Sequence, residues 1–136
     1  MRREKGQSLV ELGLLLPVFL LAVMMIVDIG RAVYYYSVIY NAAREGARFG
    51  VIDQDLVTDD PEVEAAVMRL AGGFIKTTNI YSQVISVVGP SNRAYRAIEV
   101  TVTYEFRAAT PFLARLTGSP GNTILLRSRA TMQLEQ

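Results

Sequence analysis

The sequence predicts an α+β fold: a long N-terminal membrane and spine helix, then a small head with one helix and a three-stranded antiparallel sheet. Three observations carry this. Residues 12–27 form an apolar run without a single charge. Residues 28–50 continue in helix-compatible sequence without a stop signal. Near the C-terminus, residues 97–107 and 124–135 alternate apolar and polar side chains, the period of a half-buried strand. The organisation read from this is a basic leader over 1–6, the helix over 7–50 and the head over 51–136.

Bulk composition narrows the function classes. A chain of 136 residues suits one small domain plus an anchor. Hydrophobic residues make up 51% and mean hydropathy is +0.25, with the excess gathered at the N-terminus. The net charge of +1 gives no electrostatic reason to expect nucleic acid as a partner. There are no cysteines, histidines or tryptophans. Disulfides and cysteine-ligated zinc are therefore excluded, and the commonest general base and metal ligand are missing. No cofactor, metal site or enzymatic activity is expected.

The N-terminal helix is justified by length and polarity. Residues 12–27 span roughly 24 Å as a helix, and a bilayer core of about 30 Å asks for about 20 residues. Extending back to Gln7 supplies the length, which places Glu11 at the edge of the hydrocarbon. A carboxylate costs about 2.5–3.5 kcal/mol at the bilayer centre and less near the interface. Glu11 therefore either has a function or snorkels to the headgroups. Arg2, Arg3 and Lys5 outweigh Glu4, so the leader is expected to stay cytoplasmic and the head to lie across the membrane. The residues after the run, Asp28-Ile-Gly-Arg31, make a poor signal-peptidase site, so the segment reads as a retained anchor. Pro17 removes one helical hydrogen bond and clashes with the carbonyl four residues back, at Gly13, so a kink is expected near 13–17.

The second half of the helix leaves two questions open. Tyr34, Tyr35, Tyr36 and Tyr40 suit a membrane–water boundary, and equally suit a core that packs on the head. Ala42, Gly46 and Gly50 recur at four-residue spacing, which permits close helix packing. The partner in that packing is another subunit or the chain's own sheet. A helix from 7 to 50 would be roughly 65 Å long.

The head follows from local signals. The acids at Asp53, Asp55, Asp59 and Asp60 lack an EF-hand pattern and read as a solvated loop feeding a helix. Asp60 can cap that helix, Pro61 suits its first position, and Glu62 and Glu64 favour its dipole. Val63, Ala66, Val67 and Leu70 form its apolar face, and Gly72-Gly73 ends it. A short strand is expected over 84–88, then a turn over 89–92. In 97–107, Ile98, Val100, Val102, Tyr104 and Phe106 point one way, with Glu99, Thr101, Thr103 and Glu105 opposite. Thr110-Pro111 opens a helical turn through Leu116, and 118–122 is a loop. The last strand places Ile124, Leu126, Ser128, Ala130, Met132 and Leu134 on one face, while Arg127 and Arg129 can oppose Glu99 and Glu105. The apolar sheet face needs a cover, for which the second helix and the distal half of the long helix are available.

The N-terminal residues also carry a resemblance. Gly6-Gln-Ser-Leu-Val-Glu11-Leu-Gly-Leu-Leu-Leu-Pro17 resembles the start of TadE-like pseudopilins of the tight-adherence (Flp) pilus system, and of type IV pilin-like proteins generally. Asn41-Ala-Ala-Arg-Glu-Gly-Ala-Arg48 and the closing strand over 126–134 are similar to TadE-like chains in particular. The resemblance implies cleavage by a prepilin peptidase between Gly6 and Gln7, leaving Glu11 as the fifth mature residue. The departure is Gln7, a polar residue where many pilins begin with an apolar one.

A new amino group at Gln7 would be a cation at the membrane edge. A neighbouring subunit's Glu11 could neutralise it on assembly, where an unpaired buried charge costs several kcal/mol. Pairing with the same chain's amine before assembly is the other use.

The implied function is a pilin-like subunit of a Tad-type pilus that assembles through its N-terminal helix. Its head is large beside those of short, nearly all-helical major pilins, which favours a minor pseudopilin. The implied partners are the membrane, pilin subunits as homo- or hetero-oligomer, the prepilin peptidase and the pilus assembly platform proteins. The implied place is the cytoplasmic membrane, and an extracellular filament after assembly. The competing reading is a membrane-tethered extracytoplasmic binding module; an anchored enzyme using the acids between Asp53 and Glu64 comes last.

Overall fold

The computed structural model describes residues 3–52, 59–71, 73, 75, 79–88, 94–110, 118 and 122–134. Five elements follow in order: α1 (Arg3–Ile52), α2 (Pro61–Ala71), β1 (Ile80–Val88), β2 (Ala94–Arg107) and β3 (Thr123–Gln133). This is the expected α+β order. The turn expected over 89–92, the helical turn after Thr110 and most of the 118–122 loop lie outside the described residues. So do Asp53 and Asp55.

The chain divides into two units, Met1–Val33 with Arg107–Ile124, and Tyr34–Phe106 with Leu125–Gln136. Helix α1 runs through both. It is a single hydrogen-bonded helix of 50 residues that continues through Pro17.

In the second unit the sheet has the order β1-β2-β3, and β1 pairs antiparallel with β2 in a register that sets Ser82 opposite Val100 and Val84 opposite Ile98. Leu134 N–H donates to Arg96 C=O at 2.9 Å, which brings the end of β3 beside the start of β2. The apolar sheet face has the cover it needs. Ile39, Ala42, Ala43 and Ala47 of α1 and Val63, Val67 and Ala71 of α2 pack on Ile98, Val100, Val102 and Ala130.

Helix α2 begins as its sequence dictates. Asp60 Oδ1 accepts from Glu62 N–H at 2.8 Å, and Asp60 C=O accepts the first helical bond, from Glu64 N–H, at 3.0 Å. Those bonds satisfy donors that a helix start leaves orphaned. Gly73, at φ +79°, takes the left-handed conformation expected just past the helix end. One face residue needs correction. Leu70 is 48% exposed, while Ala71 is fully buried in its place. Leu70 instead borders an open groove of about 390 Å³ with Glu45, Phe49, Ala66 and Arg69.

Two strands are longer than their patterns suggested. β2 starts at Ala94 rather than 97, and β1 starts at Ile80 rather than 84. The missed half of β1 is held by polar contacts that hydropathy does not report. Ser82 is buried, its hydroxyl accepts from Asp60 N–H at 3.1 Å, and its C=O accepts from Asp59 N–H at 2.9 Å.

The outer sheet face is less open than alternation implied. Glu99 and Thr101 are both buried. Glu99 accepts from Gln83 Nε2 at 2.9 Å and pairs with Arg129 at 3.2 Å, the cross-strand pairing expected for that arginine. Thr101 Oγ1 has no partner among the described residues.

Candidate anchoring and assembly site

The apolar half of α1 has no cover from its own chain. Leu9, Leu14, Val18, Phe19 and Ile26 are each at least 63% exposed. A helix that leaves such side chains uncovered on every side needs lipid or protein around it. α1 is long and apolar enough to cross a membrane.

Gly6, Gln7, Glu11 and Pro17 all lie exposed on this half. A methyl group added at Gly6 would meet nothing within 4 Å. Gln7 and Glu11 stand one turn apart and share a patch with Val10, Leu14 and Leu15. The carboxylate therefore projects from the same side of the helix as Gln7, with apolar side chains around it.

The small-residue stripe belongs to the other half and faces the chain's own head. A methyl on Gly46 would come to 2.5 Å from Val67 Cγ2 and 3.3 Å from Val100 Cγ1. A methyl on Gly50 would collide with Ile98 Cδ1, and Ala42 is fully buried. Of the two partners left open by the spacing, the structure places the chain's own sheet and α2 against all three. Their smallness lets the α1 backbone approach β2 and α2 closely.

The tyrosines divide in the same way. Tyr35 packs into the second unit, its ring centroid 4.7 Å from that of Tyr104 and 6.0 Å from that of Phe106. Tyr34, Tyr36 and Tyr40 are 61%, 47% and 43% exposed. Beyond them Arg44 lies over the Tyr40 ring at 5.7 Å.

Asp28 is the site residue that sequence reading passed over as the mere end of the apolar run. It is fully buried, in the first unit. Its Oδ1 accepts from Ala109 N–H at 3.0 Å, and its Oδ2 accepts from Thr110 N–H and Thr110 Oγ1, each at 2.7 Å. Arg31, one turn on, donates to Oδ1 at 3.2 Å. Asp28 directly follows the uncharged apolar run, which ends with Val27. Burial pushes its carboxyl upward, but the bonds from Ala109 and Thr110 and the Arg31 charge outweigh burial and leave it below the ordinary 3.8. The carboxylate thus ties the segment after β2 to α1. The available signal was an acid directly after an apolar run with an arginine three residues on.

The acids around α2 have structural roles. Asp60 caps the helix, and Asp59 Oδ1 accepts from Ser82 N–H at 3.3 Å. Among the described residues, no three metal-ligating side chains gather.

Residues 6–48 match the family model described as TadE-like protein. No curated protein and no solved structure matches the chain. The matched stretch holds Gly6, Glu11, Pro17 and the segment 41–48 and ends within the small stripe that seats α1 on the head; the closing strand over 126–134, which also carries the resemblance, lies outside it. Over residues 6–48, which make up most of its N-terminal helix, the chain is similar to TadE-like proteins.

Proposed function

We propose that the protein is a minor pseudopilin of a Tad-type pilus, anchored in the cytoplasmic membrane by α1 with its N-terminus cytoplasmic and its head outside. A prepilin peptidase cuts between Gly6 and Gln7. The new amine pairs with Glu11 of a neighbouring subunit as the helix leaves lipid for the filament. Pilin subunits and the assembly platform are its partners.

The observation that carries this reading is the division of labour along α1. The distal half, with Ala42, Gly46 and Gly50, is packed on the head of the same chain. The proximal half, with Gln7 and Glu11 on one face, is bare, and it falls within the TadE-like match. A tether would need only apolar length. It would not need an acid one turn from Gln7, at a cost of up to about 3 kcal/mol.

Two measurements test it. Mass spectrometry of protein extracted from membranes that contain the peptidase should find a chain beginning at Gln7; an intact 1–6 leader there refutes the processing step. Glu11→Ala should leave membrane insertion unchanged and abolish incorporation into filaments. Normal incorporation would instead favour the membrane-tethered binding module.

A further inference from the structure

The strand order makes β1 one edge of the sheet and β3 the other. Edge strands expose a row of backbone N–H and C=O groups, and natural sheets guard them with charges, prolines or bulges. The two edges differ here. β3 carries Arg127 and Arg129. β1 has neither a charged residue nor a proline in its nine positions.

Ser82 shows which backbone groups of β1 face outward. Its C=O and N–H both bond Asp59, at 2.9 and 3.3 Å, and so point away from β2. Strand geometry repeats every two residues, so Val84, Ser86 and Val88 direct their backbone groups the same way. Among the described residues, none supplies a partner for them. Ser86 is exposed, and Val88 is 65% exposed.

We propose that this edge pairs antiparallel with β1 of a second copy of the chain, about a two-fold axis at Ser86. The register follows from the outward residues. Ser86 lies opposite Ser86, and Val84 opposite Val88 of the other copy. Pairing ends where Asp59 already holds Ser82.

Charge selects a second copy through this edge. Two uncharged β1 strands meet without repulsion, whereas two β3 edges would set Arg127 and Arg129 against their own counterparts. A mixed β1–β3 contact would be heterologous and would satisfy every edge only in a closed ring, while β1–β1 closes as an isologous pair of two chains. The edge shares no residue with α1, so this contact stands whether or not the protein is a pilus subunit.

The chain lacks cysteine, so single thiols report the register directly. Directly opposed residues in a hydrogen-bonded antiparallel pair have Cα atoms about 5.5 Å apart, within the range that a disulfide spans. In the full chain reconstituted in lipid vesicles and mildly oxidised, Ser86→Cys should give a covalent dimer. Gln83→Cys, on the same strand but not opposite itself, should not. Val84→Cys and Val88→Cys should cross-link when mixed and not alone. Ser86→Lys and Ser86→Glu should each abolish the dimer in sedimentation, and their equal mixture should restore it. A wild-type monomer, equal cross-linking at residues 83 and 86, or a Ser86→Lys variant that remains dimeric through its helix would each overturn the proposal.

Discussion

Replacing Asp28 by asparagine gives a sharp test of how the first unit is held. The carboxylate receives two backbone N–H groups, a hydroxyl and an arginine while fully buried. Asparagine keeps the shape but turns one acceptor into a donor. Whichever way the amide lies, it faces the N–H of Ala109 or of Thr110 with another N–H. A buried donor left without an acceptor costs about 1–3 kcal/mol, and bonds to a charged acceptor contribute about 1.5–3 kcal/mol each. The charge at Asp28 also carried a burial cost that asparagine avoids. The net loss is about 3 kcal/mol, or roughly a hundredfold in the local opening equilibrium.

Amide hydrogen exchange reads that opening directly. Protection at Ala109 and Thr110 should fall about a hundredfold in Asp28→Asn, while amides of β2 such as Val100 keep theirs. Thr110→Val removes only the hydroxyl and should cost about 1 kcal/mol, less than a tenfold change at the same amides. Unchanged exchange at Ala109 and Thr110 in Asp28→Asn would refute the claim that this carboxylate fastens the segment. The pH dependence has a fixed sign. The folded carboxyl sits below 3.8, so its contribution is complete above 3.8 and lost as pH falls through the lower folded value.

Other substitutions separate packing from propensity. Gly46→Ala gains up to about 1 kcal/mol of helix propensity but drives a methyl into the stiff Val67 side chain, an overpacking cost of about 1–3 kcal/mol, so thermal unfolding of the head should show net destabilisation. Gly50→Ala should cost less, because the atom in its way is the rotatable end of Ile98. Gly30→Ala, with nothing within 4 Å, should stabilise the helix by about 0.5–1 kcal/mol, read as helicity retained on heating in vesicles. Thr101→Val removes a buried hydroxyl that has no partner among the described residues and should raise the denaturant midpoint of the head by an amount equivalent to about 1 kcal/mol; a lower midpoint would mean that the hydroxyl is satisfied.

What could be read from the sequence was what local chemistry decides. The start of α2 was legible because a cap, a proline and two acids act within one turn of each other. The core faces of β2 and β3 were legible because alternation is a property of neighbouring residues. The role of the stripe at Ala42, Gly46 and Gly50 was not, since four-residue spacing looks the same whether the approaching backbone is foreign or the chain's own. Three-dimensional placement decided it, with Val67 and Ile98 standing where a methyl group would go. Burial of Glu99 and Thr101 was hidden for a related reason. A central strand is flanked on both sides, so a polar face is not automatically a wet one.

Asp28 shows the same limit most sharply. Its partners lie 81 and 82 positions away in the sequence, so no window along the chain contains both ends of the contact. Hydropathy alone assigns Glu11 and Asp28 the same part, an acid bounding an apolar run, yet they end in opposite circumstances. Asp28 is enclosed by donors from its own chain. Glu11 is exposed beside Gln7 on a bare helix. An acid already satisfied within its own chain has little left to offer a neighbouring subunit. Glu11, left exposed on the bare half of α1, is the acid for which an assembly role is proposed, and for this reason the incorporation test is directed at Glu11 and the exchange test at Asp28.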